Sequence, residues 1–151
     1  MQLKIITYPF DNSIALPGCI LVGGCFDLLH YGHLNFLKAS AKLGALVVAL
    51  ESDIAIQLRK GSAPIHTQRQ RAEILAELQC VDTVILLPML KTYEDYLTLV
   101  QAVQPAILAI TLADPQTDNK KKQAATINAK LVEVNNLIEG LSSTLIKANH
   151  L

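Results

Sequence analysis

What is scarce in this chain narrows the reading first. Tryptophan is absent, and the aromatic residues make up only 5% of 151 residues. A single-strand nucleic-acid binder relies on stacking aromatics, and few are on offer. Neither sign of charge dominates, with 13 basic side chains against 13 acidic ones. Without a basic field a nucleic-acid backbone has little to attract it, so nucleic acid is not an expected partner. The three cysteines, Cys19, Cys25 and Cys80, are scattered and form no Cys-x-x-Cys pair. That pattern argues against a zinc site or a disulfide framework and fits a reducing compartment. No apolar run approaches the ~18 residues needed to span a bilayer. The start, Met1-Gln2-Leu3-Lys4, does not open an apolar secretory segment. The expectation is a cytoplasmic protein with no membrane partner.

What is present is an apolar majority, 51% of the chain, with 17% charged. That is enough for one well-cored domain and excludes a disordered tail. Residues 1–18 read as an edge strand followed by a Pro- and Gly-containing loop. Residues 19–151 read as a single domain in which strand-like and helix-like runs alternate. Strands are expected at Cys19–Gly23, Ala45–Leu50, Val81–Leu87, Ala106–Leu112 and Lys130–Val134. Helices are expected at His33–Leu43, from Ser52 or Asp53 to Lys60, at Gln68–Gln79 with Ile74, Leu75 and Leu78 inward, and at Tyr93–Val103. Repeated β-α-β units imply an α/β, doubly wound, Rossmann-like sheet of five parallel strands with helices on both faces. Ligands of such sheets lie beyond the C-terminal strand ends, near the switch in strand order.

The first buried strand runs into Gly23-Gly24-Cys25-Phe26-Asp27-Leu28-Leu29-His30-Tyr31-Gly32-His33. A helix start carries unpaired backbone N–H groups and partial positive charge, which suits an anion. His30 and His33, three residues apart, can add donors to that anion, so a phosphate chain is the expected ligand. Each piece alone has a plainer reading. Gly-Gly marks a tight turn, Asp27 suits a turn, and His-x-x-His could be half of a metal site. Two nitrogens fall short of a protein-held zinc site.

Gly24–His33 resembles the Gly-x-Phe-Asp-x-x-His-x-Gly-His signature of the cytidylyltransferase-like nucleotidyltransferases. The likeness continues through Ser52-Asp53, Leu58-Arg59-Lys60-Gly61, Pro64-Ile65, Gln70-Arg71 and Val81-Asp82 to Glu139-Gly140-Leu141-Ser142-Ser143-Thr144, spanning roughly residues 19–148. It is nearest to heptose 1-phosphate adenylyltransferase domains and glycerol-3-phosphate cytidylyltransferases. The resemblance implies transfer of a nucleoside monophosphate from ATP or CTP to a phosphorylated sugar or polyol, with release of pyrophosphate. Mg²⁺ is implied with the triphosphate, and a homodimer as the assembly. It assigns catalysis to His30, His33 and Lys60, with Arg59 as the alternative to Lys60. Nucleotide binding falls to Gly23, Gly24, Cys25, Phe26, Asp27, Gly32, Arg71, Asp114, Ser142, Ser143 and Thr144. Asp27 would orient the histidines or the nucleophile, or help to hold Mg²⁺.

Plainer alternatives stand beside several of these roles. Lys60 and Arg59 suit a helix C-terminus as solvated cations. Arg71 sits among Arg69 and Glu73 as on a solvated face. Ser142 or Ser143 suits a helix cap. The Lys120–Lys122 run reads as a solvated loop. The chain also departs from its relatives at Ile110-Thr111-Leu112-Ala113-Asp114-Pro115, where they carry a Gly-Gly-Asp or Gly-Asp-Asp step. Leu137-Ile138 stands where the glycerol phosphate type has Arg-Thr. Bulkier side chains at 110–115 are expected to narrow the cleft. The sugar 1-phosphate adenylyltransferase is the favoured reading. A glycerol-3-phosphate-type cytidylyltransferase and a catalytically weakened nucleotide-binding relative are the alternatives.

Overall fold

The computed structural model of the protein describes residues 4–134. Its elements are β1 (Ile5–Thr7), β2 (Ile20–Gly24), α1 (Tyr31–Ala41), β3 (Leu46–Leu50), α2 (Asp53–Lys60), α3 (Gln68–Ala76), β4 (Thr83–Leu86), α4 (Tyr93–Val103), β5 (Ile107–Ile110), α5 (Thr117–Thr126) and β6 (Lys130–Glu133). The strands form one sheet in the order β1-β4-β3-β2-β5-β6, and every pair is parallel. The doubly wound α/β expectation therefore holds, with six strands in place of five. The added strand is β1, which pairs Ile5–Thr7 with Val84–Leu86. It covers backbone donors and acceptors that would otherwise leave β4 as an open edge.

β3 shows why the sheet forms here. All five of its residues are buried, as suits a strand covered on both faces. On one face α1 and α3 contribute Phe36, Leu37, Ala72 and Leu75 to the core, together with Ile20, Val22, Leu46 and Val48. On the other, α4 and α5 contribute Leu99, Val100, Val103 and Ala124 against Leu21, Val47 and Leu108. The inward set expected for α3 is corrected at one position, because Ile74 is exposed and Arg71 and Ala72 are buried in its stead. The run Lys120–Lys122 is also not loop but the middle of α5, which buries Gln123 and Ala124 just beyond it. A polar composition concealed this helix because only a narrow stripe of it meets the sheet.

The site is positioned by the strand order. From β2 the chain winds outward through β3 to β4, then returns to place β5 on the opposite side of β2. β2 stays paired with β3 as far as Gly24 and Leu50. Its pairing with β5 stops at Leu21 and Leu108. The two strands thus part toward their C-terminal ends and open a crevice at the switch point, where an open α/β sheet takes its ligands.

Candidate active site

The turn after β2 is shaped by its own side chains. Phe26 and Leu28 adopt left-handed backbone conformations, φ 48° and 53°, which cost non-glycine residues roughly 1–2 kcal/mol each. Gly24 is required by Phe26, since a Cβ there would lie 2.9 Å from the ring atom Cε2. The same ring meets His33 edge-on, with centroids 5.5 Å apart. Gly23 has open space where a Cβ would point, with only the Ala49 carbonyl at 3.8 Å.

α1 begins two residues before the expected start, because His30 is its N-cap. The His30 Nδ1 accepts from the backbone N–H of Gly32 at 3.0 Å and of His33 at 3.4 Å. The His33 Nδ1 in turn accepts from the His30 N–H at 3.3 Å. This is a capping box built from two histidines. An Nδ1 that accepts carries no proton, so each neutral ring bears its proton on Nε2. The rings stack with centroids 3.9 Å apart. The His30 Nε2 is buried and has no partner among the described residues. An orphaned buried donor is costly, and an anion oxygen would satisfy it.

Both rings are held neutral in the free protein. Burial lowers the His30 pKa below its ordinary value. For His33, burial first, then His30 and Lys60, lower it to about 4. Lys60 is exposed at the last position of α2, near enough to bear on both His33 and Cys25. Burial pushes the Cys25 thiol up, so Cys25 is no thiolate nucleophile. Its carbonyl, not its sulfur, is engaged.

Asp27 serves as an anchor. Its carboxylate accepts from the backbone N–H of Ile65 at 2.7 Å and of His66 at 3.0 Å. The motif turn and the loop before α3 are thereby tied together. Asp27 is only 2% exposed, and it was expected to orient the histidines or to hold Mg²⁺. These contacts give it a loop-anchoring role that the sequence did not indicate. Among the described residues, no group of three or more His, Cys, Asp and Glu could hold a metal ion.

Arg71 corrects an expectation more sharply. Its side chain is fully buried, so the solvated face does not describe it. Nε donates to the His66 carbonyl at 3.1 Å and Nη1 to the Cys25 carbonyl at 2.7 Å. Nη2 reaches the Glu51 carbonyl at 3.0 Å and the Asp53 carboxylate at 2.6 Å. One guanidinium therefore joins the motif turn, the end of β3, the start of α2 and the loop before α3. Its donors point to these acceptors because α3 places Arg71 on its inner side.

Sequence reasoning missed Glu51, Tyr96 and Gln68. Glu51 directly follows β3 with its carboxylate nearly buried. It accepts from the Tyr96 hydroxyl at 2.9 Å and from Arg59 at 3.2 Å. Burial and then Glu51 push the Tyr96 phenol up to about 12. Arg59 is thus tied to Glu51, while Lys60 is exposed at the end of α2, which separates the two basic residues. Gln68 donates to the Leu50 and Leu87 carbonyls at 2.9 and 2.8 Å, bridging the ends of two strands. Asp114 is committed to Lys120 at 2.6 Å and to the Gln116 N–H at 2.7 Å. Ser142, Ser143 and Thr144 lie outside the described residues.

Beside the turn a small, partly open cavity lies between the sheet, α4 and α5. Leu21, Leu87, Leu99, Val100 and Leu108 form much of its wall, and Gly23 links it to the motif turn. Glu51, Tyr96, Lys120 and Gln123 are its polar members. Of the bulky residues at 110–115, Ile110 lines this cavity, while Leu112 is 60% exposed.

An open parallel sheet with an anion-ready histidine turn at its switch point defines a phosphate-handling class of α/β protein. Comparison with known proteins makes this specific. The model of the cytidylyltransferase-like family matches residues 21–149, and the chain belongs to that family. It is 37% identical over 132 residues to the bifunctional protein HldE of Syntrophotalea carbinolica, covering 84% of this chain and 26% of that protein. It is 34% identical over 123 residues to the FAD synthase of Thermococcus sibiricus, covering 76% and 78% of the two chains. The chain thus spans about a quarter of the HldE relatives it matches. Among solved structures, the lipopolysaccharide core biosynthesis protein from Thermoplasma volcanium superimposes with a TM-score of 0.67 at 27% identity, over 80% of this chain and 98% of that one.

Proposed function

We propose that the chain transfers a nucleotidyl group from a nucleoside triphosphate to a phosphorylated small-molecule acceptor. An acceptor phosphate oxygen attacks the α-phosphorus in line. The bond to the bridging oxygen breaks, and pyrophosphate leaves. The acceptor oxygen is already anionic, so no general base is needed. The protein's task is positioning and stabilising charge. The observation that carries this reading is the buried, unpartnered His30 Nε2 beside its stacked neighbour. Two Nε2–H donors and the start of α1 would hold oxygens of the transferring phosphate, with Lys60 on the phosphates beyond. A polyanion also favours protonation of both rings, against the burial that keeps them neutral without it. Mg²⁺ would enter on the triphosphate's own oxygens as part of the substrate.

ATP is the preferred nucleotide, in line with the similarity to HldE and to an FAD synthase. The Leu-x-Lys-Gly-like step favours a heptose-like sugar 1-phosphate as acceptor. A second acceptor, flavin mononucleotide, is favoured by the aliphatic cavity beside the turn. The test is pyrophosphate release from ATP or CTP, each paired with a sugar 1-phosphate, glycerol 3-phosphate and flavin mononucleotide. Turnover with one pair is expected. Nucleotide binding without turnover of any pair would refute transferase activity and leave the weakened, nucleotide-binding relative.

A further inference from the structure

We propose that Glu51 and Tyr96 are positioning residues, which seat the Arg59 guanidinium at the rim of the crevice and hold its remaining donors ready for the phosphate of the acceptor. The inference rests on the transferase reading. It divides the work of two neighbouring cations, with Arg59 serving the acceptor and Lys60 the triphosphate. Its first support is the seat itself. Glu51 directly follows β3, and its side chain is 7% exposed. A carboxylate so buried needs partners, and this one has two. The Tyr96 hydroxyl donates to it at 2.9 Å and the Arg59 Nη2 at 3.2 Å. The same Nη2 reaches the Tyr96 hydroxyl oxygen at 3.3 Å. Burial and then Glu51 keep the Tyr96 phenol protonated, so it stays a donor to the carboxylate while its oxygen accepts from Arg59. The end of β3, α2 and α4 thus meet at one ion pair.

The second support is what the seat leaves over. Arg59 is held through Nη2 alone, and its Nε and Nη1 donate to nothing among the described residues. A tie that served only to fasten α2 to α4 would gain from the bidentate grip that arginine gives a carboxylate. One contact instead fixes the cation and leaves donors over, and arginine takes a phosphate through such donors. A long side chain fixed in advance also loses less freedom when the ligand arrives. The third support is placement. Lys60 bears on both His33 and Cys25, whereas Arg59 bears on Cys25 and is not among the groups that shift His33. Glu51 and Tyr96 line the cavity beside the turn. Lys60 therefore belongs to the histidine side of the crevice and Arg59 to the cavity side. Without Arg59, Glu51 would meet an incoming phosphate as a bare negative charge.

The experiment follows the arginine side-chain N–H resonances of the full chain by NMR. A non-hydrolysable ATP analogue and Mg²⁺ are added first, then inorganic phosphate. The Arg59 resonance, assigned by its loss in Arg59→Lys, should stay in place with the ATP analogue and shift saturably with phosphate. Glu51→Gln and Tyr96→Phe should each weaken this phosphate binding about fivefold or more. Tyr96→Phe removes one hydroxyl and keeps the ring, so it serves should Glu51→Gln fail to fold. In pyrophosphate release with whichever acceptor of the panel turns over, both should raise the acceptor KM about fivefold or more and leave the KM for ATP within about twofold. Arg59→Met should raise the acceptor KM further. Combining it with Glu51→Gln should do no more harm, because the second change removes the bare carboxylate. A merely structural tie would give additive losses that fall on ATP and acceptor alike. That result overturns the proposal, as does an Arg59 resonance that ignores phosphate or one that moves with the ATP analogue alone. A resonance that answers phosphate in a chain that turns over no acceptor refutes the transferase reading instead and leaves the seat as a phosphate site.

Discussion

Replacing Arg71 by Met would keep the stem and most of the volume of the side chain while removing its guanidinium. Four hydrogen bonds are lost, to the carbonyls of Cys25, Glu51 and His66 and to the Asp53 carboxylate. A buried acceptor left without a donor costs roughly 1–3 kcal/mol. Only the Glu51 contact is buried at both ends, and water can reach the others in part. The Asp53 side chain is 43% exposed, so its pairing with Arg71 is discounted for solvent screening. The net loss is about 3–5 kcal/mol, in line with breaking a buried charged contact. That is a large share of the roughly 5–15 kcal/mol that holds a domain together. Urea unfolding followed by circular dichroism measures it. With a slope of about 2 kcal/mol per molar, the midpoint should fall by roughly 1.5–2.5 M while the slope holds. A rival reading puts Arg71 on a substrate phosphate, as the family resemblance implies. If the variant keeps its midpoint within about 0.5 M but loses nucleotide binding a hundredfold, the clamp argument is wrong and the guanidinium belongs to the ligand.

Four more outcomes follow from the site. His30→Asn retains a capping side chain and should leave stability within about 1 kcal/mol, yet lower the rate of pyrophosphate release at least about 100-fold by removing the Nε2 donor. Gly24→Ala brings a Cβ to 2.9 Å from the Phe26 ring; a displaced His33 should appear as a shifted imidazole resonance and reduced turnover. His33 titrates near 4 when folded against an ordinary 6.5, so the unfolded chain binds more protons between those values. Stability should therefore be complete above about pH 6.5 and decline as pH falls toward 4, by up to about 2–3 kcal/mol from this ring. A triphosphate that favours the imidazolium should be taken up together with protons near pH 6, seen in calorimetry as a binding enthalpy that depends on the buffer. Binding without proton uptake would show that the phosphates do not lie on the histidines.

The turn could be read directly because its structure closes on itself. His30 and His33 cap one another's backbone within four residues, and Gly24 yields to Phe26 two positions on. The strand before it and the helix after it follow from local apolar periodicity. Arg71 was opaque for the opposite reason. Whether an arginine on a polar helix faces water or the core is decided by what packs over it, and its Cys25 partner lies 46 residues away. α5 stayed hidden because its composition is polar and only a narrow stripe of it is buried.

By itself, then, the sequence determined the α/β class and the histidine turn, since each depends on neighbours along the chain. Tertiary structure alone decided the crevice between β2 and β5, the burial of Arg71, and the meeting of Glu51 with Tyr96 across 45 residues. Those depend on which strands lie side by side and on how far their pairing runs, and the order of residues along the chain does not state either.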